Sequence, residues 1–266
     1  MTISFSAGRR PSITWSGPEY RAAAGAKPDR RGAGWTLIGA FVQFDQAGTH
    51  RLIPAKCGSE SVLESLPLPS EVLADLSELD AATNERKIAE NGGNAAIGPG
   101  ELLLGVPEAH IVNAAFTHPG PFGGRFHGPQ RGAWYAGFEI ETSIAEVGFH
   151  KRRFLTDGRI QGQHAFDYID FLADFSGLFH TLDAAEQESC LQPDPVPQCY
   201  SVPQSLANKL LFEGSNGIVY PSVPRPSETS IACFRPGLVF HPRRGQKYRL
   251  KVEAGTDTIG TEALPV

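Results

Sequence analysis

The apolar positions of this chain fall into short blocks whose spacing changes along the sequence. Trp35 to Phe44 has the β-branched and aromatic content of a strand, and His50-Arg51-Leu52-Ile53 is expected to return beside it. From Ser70 the spacing turns helical. Val72, Leu73, Leu76, Leu79 and Ala82 recur on one face, Ser70 offers an N-cap and Asn91-Gly92-Gly93 a stop, which predicts one helix over 70–91. Ile111 to Phe116 reads as a strand, Pro119 to Gly124 as a tight loop, and Ala133 to Gly137 as a second strand. Glu141 to Phe154 is an amphipathic helix with Ile144, Val147 and Phe154 on one side. An aromatic-rich stretch over 161–179 precedes an irregular, Pro-rich connection over 190–203. Ser205 to Glu213 follows as a helix, Gly217 to Pro221 and Ser230 to Phe234 as strands, and basic hairpin material runs to Val252. This ordering predicts a mixed α+β domain.

Composition narrows the class. With 266 residues, 41% hydrophobic and 20% charged, the chain can bury a core. Gly and Pro make up about a fifth of it and follow no period, so loops are plentiful and collagen is excluded. A net charge of -5 excludes a chain-wide basic footprint for nucleic acid. No apolar run is long enough for a membrane span, and Arg9-Arg10 lacks the apolar stretch of an export signal, so a cytoplasmic location is expected. Cys57, Cys190, Cys199 and Cys233 lack the close spacing of a zinc or redox pair and are expected to be reduced thiols. Residues 1–33 bury too little apolar surface to fold independently and read as a tail. The remaining expected divisions are an extension packed on the main domain (34–104), the main domain (105–252) and a C-terminal tail (253–266).

Several residues carry candidate chemistry. Gly123-Gly124-Arg125 offers a guanidinium where a ligand can approach bare backbone, which suits phosphate and equally suits an ordinary turn. Tyr135 reads as a strand core residue or a ligand platform. Glu146, flanked by Ile144, Ala145 and Val147, is a carboxylate among apolar neighbours, either partly desolvated or bridged to an Arg. Glu146 and His150 share a helix face, but the His-Glu-x-x-His pattern is absent and no metal is expected. Ser222 lacks the Gly-x-Ser-x-Gly elbow of a hydrolase nucleophile. Lys151-Arg152-Arg153 reads as a solvated helix end.

Taken in order, Gly-Gly-Arg-Phe (123–126), Ala-Trp-Tyr-Ala-Gly (133–137), Glu-Thr-Ser-Ile-Ala-Glu-Val (141–147) and Gly-Ile-Val-Tyr-Pro-Ser-Val (217–223) resemble the RES domain, named for its Arg, Glu and Ser. The resemblance covers about residues 105–240, and Ala232-Cys233-Phe234-Arg235-Pro236 extends it. It implies an ADP-ribosyltransferase-like split mixed sheet with flanking helices and NAD in its cleft, as the substrate to be cleaved. By the same resemblance Arg125, Glu146 and Ser222 are catalytic, and Arg125, Gly124, Tyr135 and Ser222 bind NAD. Arg125 would hold the pyrophosphate, Tyr135 would pack on nicotinamide or ribose, and Ser222 would fix a ribose or carboxamide hydrogen bond. Glu146 would offset the charge of an oxocarbenium-like transition state. A toxin role with an antitoxin partner, and self-association, are further implications. Water, phosphate and a protein side chain all stand open as acceptors, and a non-catalytic nucleotide-binding or partner-binding module is the alternative from another class. His127 departs from the polar residue, often Asn, that the family places there, and about a hundred residues precede the match.

Overall fold

The computed structural model describes residues 40–58 and 66–265, so the expected N-terminal tail and residues 35–39 of the first expected strand lie outside the described residues. Among the described residues, seven strands form one sheet: β1 (Ala40–Pro54), β2 (Trp134–Gly137), β3 (Gln163–Thr181), β4 (Gly217–Pro221), β5 (Thr229–Cys233), β6 (Phe240–Glu253) and β7 (Gly260–Leu264). Six α-helices flank it: α1 (Ser70–Thr83), α2 (Glu85–Glu90), α3 (Ala109–Thr117), α4 (Ile140–Asp157), α5 (Ala184–Cys190) and α6 (Ser201–Phe212). The strand order is β1-β2-β5-β4-β3-β6-β7, with β1 also paired to β3. The sheet is mixed, since β3 and β4 run parallel while the other pairs are antiparallel.

β3 organises the sheet. One of its edges pairs with β1 from Tyr168 to Thr181. Its other edge pairs with β6 up to Asp174 and then with β4 at His180 and Thr181. β1 touches β2 through a single pair, His50 with Gly137. The sheet therefore opens where partners change, and Phe171, Phe175, Phe179, Trp134 and Ile231 fill one of its faces, all buried, with Phe116 and Val112 of α3 over them. On the other face two smaller clusters stand apart. Phe126, Ile218, Tyr220 and Ala232 pack with Ala207 and Leu210 of α6, and Leu52, Tyr168 and Leu250 pack with Leu155 of α4.

Several expectations change on contact with this architecture. The expected return of His50 to Ile53 beside the first strand does not occur. The strand continues through a bulge between Gln46 and Thr49, at a Gly48 with φ of +68°, and its partner is β3. The expected helix over 70–91 is two helices, because Asn84 takes an extended conformation and its side chain caps α2 by accepting from Arg86 N. Ser70 is the first helical residue after Pro69, not a cap, and α1 buries none of its residues. Ile111 to Phe116 is helical, not a strand. A short apolar run reads equally as either, and buried Asn113 decides it by holding both the amide and the carbonyl of Leu103 with its side chain. The basic stretch to Val252 is one long strand whose hairpin partner, β7, lies in the segment expected to be a tail. β1 likewise makes the expected 34–104 extension an integral part of the sheet.

Candidate active site

A cleft of about 610 Å³ opens between the two smaller clusters, and Arg125, Tyr135 and Glu146 all line it. Each reaches it by a different route. Arg125 follows two glycines in a loop closed by the Gly124 and His127 backbones, whose amide-to-carbonyl bond is 3.0 Å. Gly123 has φ of +67°, and a Cβ there would overlap the His127 carbonyl oxygen. A Cβ on Gly124 would stand 2.5 Å from the His127 ring. Bare backbone is thus needed to seat the imidazole. Gln204 of α6 ties the same loop down through the Phe122 and Gly124 carbonyls, at 2.9 Å each.

The Arg125 guanidinium is anchored by one nitrogen, Nη1, which donates to the carbonyls of Cys190 (2.8 Å) and Gln192 (2.9 Å) at the end of α5. It stands 5.2 Å from the centre of the Tyr200 ring, and among the described residues it forms no ion pair. Its charge is held in place without being neutralised.

Tyr135 projects from β2 into the cleft, on the face opposite Trp134. Its hydroxyl accepts from Phe126 N at 2.8 Å and meets His127 Nδ1 at 2.9 Å, while His127 Nε2 meets the Pro119 carbonyl at 3.2 Å. A carbonyl can only accept, so Nε2 carries the proton and Tyr135 donates to Nδ1. Burial pushes the His127 pKa down to about 4, which keeps the ring in that neutral form. The departure at His127 thus completes a closed network that fixes the loop carrying Arg125. The Tyr135 hydroxyl is spent on this network, and its ring faces the cleft.

Glu146 sits on α4. Burial raises its pKa above the usual carboxylate range, opposed by a hydrogen bond from Ser222, the nearby Arg125 charge and the Val223 amide. Ser222 Oγ donates to Glu146 Oε1 at 2.8 Å. Ser222 is only 1% exposed and lies behind the carboxylate, outside the cleft lining. In this structure the Ser222 hydroxyl holds Glu146. His150, one helical turn beyond Glu146, also lines the cleft, and burial with the Arg125 charge lowers its pKa to about 4. No group of three His, Cys, Asp or Glu that could hold a metal occurs among the described residues.

Sequence reasoning missed the contribution of β1. Arg51 lines the cleft, donates to the Tyr135 carbonyl at 3.2 Å and stacks 4.9 Å from the centre of the Trp134 ring. Burial lowers its pKa to about 10, so it stays charged at neutral pH. His50 beside it also lines the cleft, with Nδ1 2.7 Å from Asp170 Oδ2.

A RES domain family model matches residues 102–253. The chain belongs to the RES family. The match contains all four motif residues, whereas His50 and Arg51 reach the same cleft from outside the RES segment. A chain in the crystal structure of the M. tuberculosis MbcT-MbcA toxin-antitoxin complex is similar in structure at 10% identity and a TM-score of 0.39, over 78% of this chain and 85% of that one. No curated protein matches the chain. Among the described residues, no helix of this RES protein is long and apolar enough to cross a membrane.

Proposed function

We propose that this RES protein cleaves the bond between nicotinamide and ribose in NAD. The observation that carries the reading is the convergence of Arg125, Tyr135 and Glu146 on one cleft, with Ser222 bonded to the carboxylate behind them. A volume of about 610 Å³ lies within the range of small-molecule sites. The Arg125 guanidinium, which forms no ion pair among the described residues, suits the negative charge of a diphosphate through charge-assisted hydrogen bonds. The Tyr135 ring offers a flat face to the pyridinium or ribose.

Loss of nicotinamide leaves positive charge on the sugar. Nicotinamide departs neutral from a cationic ring, so no acid need protonate it, and one carboxylate is enough. Glu146, held by Ser222 and short of solvent, is aimed to offset that charge in the transition state, where a low-dielectric setting makes it count most. The carboxylate must be ionised. Its upward-shifted pKa therefore places the loss of activity on acidification at a higher pH than an ordinary glutamate would, since protonation removes the charge that the reaction uses.

The split-sheet, ADP-ribosyltransferase-like geometry, a toxin role and an antitoxin partner belong to the same proposal, on the family resemblance. Purified protein incubated with NAD should release free nicotinamide. ADP-ribose as co-product identifies hydrolysis, ADP-ribose phosphate formed only with added inorganic phosphate identifies phosphorolysis, and label from NAD on protein identifies transfer. NAD left intact by folded protein overturns the reading.

A further inference from the structure

The cleft contains a second built pair whose role cleavage of the glycosidic bond does not use. His50 Nδ1 lies 2.7 Å from Asp170 Oδ2, and Asp170 is only 3% exposed, with Oδ1 buried and without a partner among the described residues. The backbone at His50 is fixed as well. Its carbonyl accepts from Ser143 Oγ at 2.6 Å, and it forms the one pair that joins β1 to β2. The His50 side chain is 21% exposed and lines the cleft that Glu146 lines.

A buried carboxylate on Nδ1 sets the tautomer. When Asp170 is ionised and the imidazole neutral, the carboxylate can only accept, so Nδ1 carries the hydrogen and Nε2 presents a lone pair. Nε2 has no hydrogen bond among the described residues. An imidazole oriented by a carboxylate, on a rigid strand at the wall of a cleft, is the arrangement a general base needs. Glu146 is a poor candidate for that duty, because Ser222 and the Val223 amide hold it as a charge directed at the sugar.

We propose that His50, oriented by Asp170, is the base that removes a proton from the water attacking the ribosyl cation, which makes water the acceptor. This rests on the NAD-cleavage reading and adds the acceptor step. The bond between C1′ and the pyridine nitrogen breaks with its electron pair going to the nitrogen. The water oxygen then bonds C1′, its proton passes to His50 Nε2 and from there to solvent, and nothing is oxidised or reduced.

Water must lose a proton on attack, whereas a pyridine nitrogen attacks without losing one. The test therefore gives the enzyme NAD in phosphate-free buffer with 3-acetylpyridine, and measures ADP-ribose and the exchanged dinucleotide together. His50→Asn keeps an N–H for Asp170 and removes the base. The ratio of hydrolysis to exchange is expected to fall about a hundredfold, the lower end of general-base contributions. Asp170→Asn, which removes the orienting carboxylate, should lower the same ratio. Exchange serves as the readout of a folded, NAD-cleaving site. An unchanged ratio in folded His50→Asn, with both products falling together or neither falling, overturns the assignment and leaves the NAD-cleavage reading standing. Wild-type protein that forms neither product overturns this assignment, and NAD left intact by the same protein after inorganic phosphate is added overturns the NAD-cleavage reading as well.

Discussion

The two faces of the sheet use the same strands for opposite purposes. On β2, Trp134 points into the main core and is fully buried, while its neighbour Tyr135 lines the cleft. On β5, Ile231 and Cys233 face that core, while Ala232 faces the smaller cluster beside the cleft. One face is filled with large apolar side chains, which is where stability comes from. The other is divided into two separate clusters, and the space between them is lined by Arg51, Arg125, Glu146 and three histidines, His50, His127 and His150. Alternation along a strand thus places a stabilising residue and a cleft-facing one side by side, so single substitutions should separate the two duties.

The largest effect belongs to the filled face. Trp134→Ala should destabilise by about 3–5 kcal/mol, as for other large-to-small core changes, seen as a lower denaturant midpoint. Glu146→Gln should behave in the opposite way, with turnover falling by about 10²–10³-fold and no loss of stability at neutral pH. The sign follows from linkage. A carboxyl whose folded pKa is raised binds its proton more tightly when folded, so its contribution to stability declines as pH rises from the unfolded value through the folded one. Above that window the buried charge is a net cost, which glutamine lacks. Thermal melts of both proteins across that window check this.

Arg125→Ala comes next: on the proposed function it should remove charged hydrogen bonds to the diphosphate worth about 1.5–3 kcal/mol, lowering affinity for NAD about 10–100-fold by calorimetric titration. The smallest effect is that of Ser222→Ala. The Ser222 hydrogen bond lowers the Glu146 pKa, so its loss should move the acid limb of the turnover profile to higher pH. A merely structural serine would leave that limb in place.

How much of this was legible in the sequence depended on whether the signal was local. β4 and α4 are read within a residue or a few, because alternation, helical spacing and Gly stops are local. The motif residues Arg125, Tyr135 and Glu146 line one cleft, and their order along the chain carries the family pattern. What failed was non-local. β3 pairs with β1, β4 and β6, and no local pattern announces a strand whose aspartates at 167, 170 and 174 interrupt the apolar run. All three aspartates are taken up by partners far along the chain, Asp170 by His50, Asp167 by Arg249 and Asp174 by Gly48 and Arg243. The capping box of α5, Asp183 with Glu186, was visible in principle and went unread. The bond from Ser222 to Glu146 was not legible either, because only three-dimensional proximity reveals it.

The central claim is that a buried, Ser222-held carboxylate breaks the nicotinamide bond. Chromatographic measurement of nicotinamide released from NAD by wild-type protein and by folded Glu146→Gln tests it most directly. The account predicts steady release by the wild type and at least a hundredfold less by the variant. Equal release by the two proteins would contradict it.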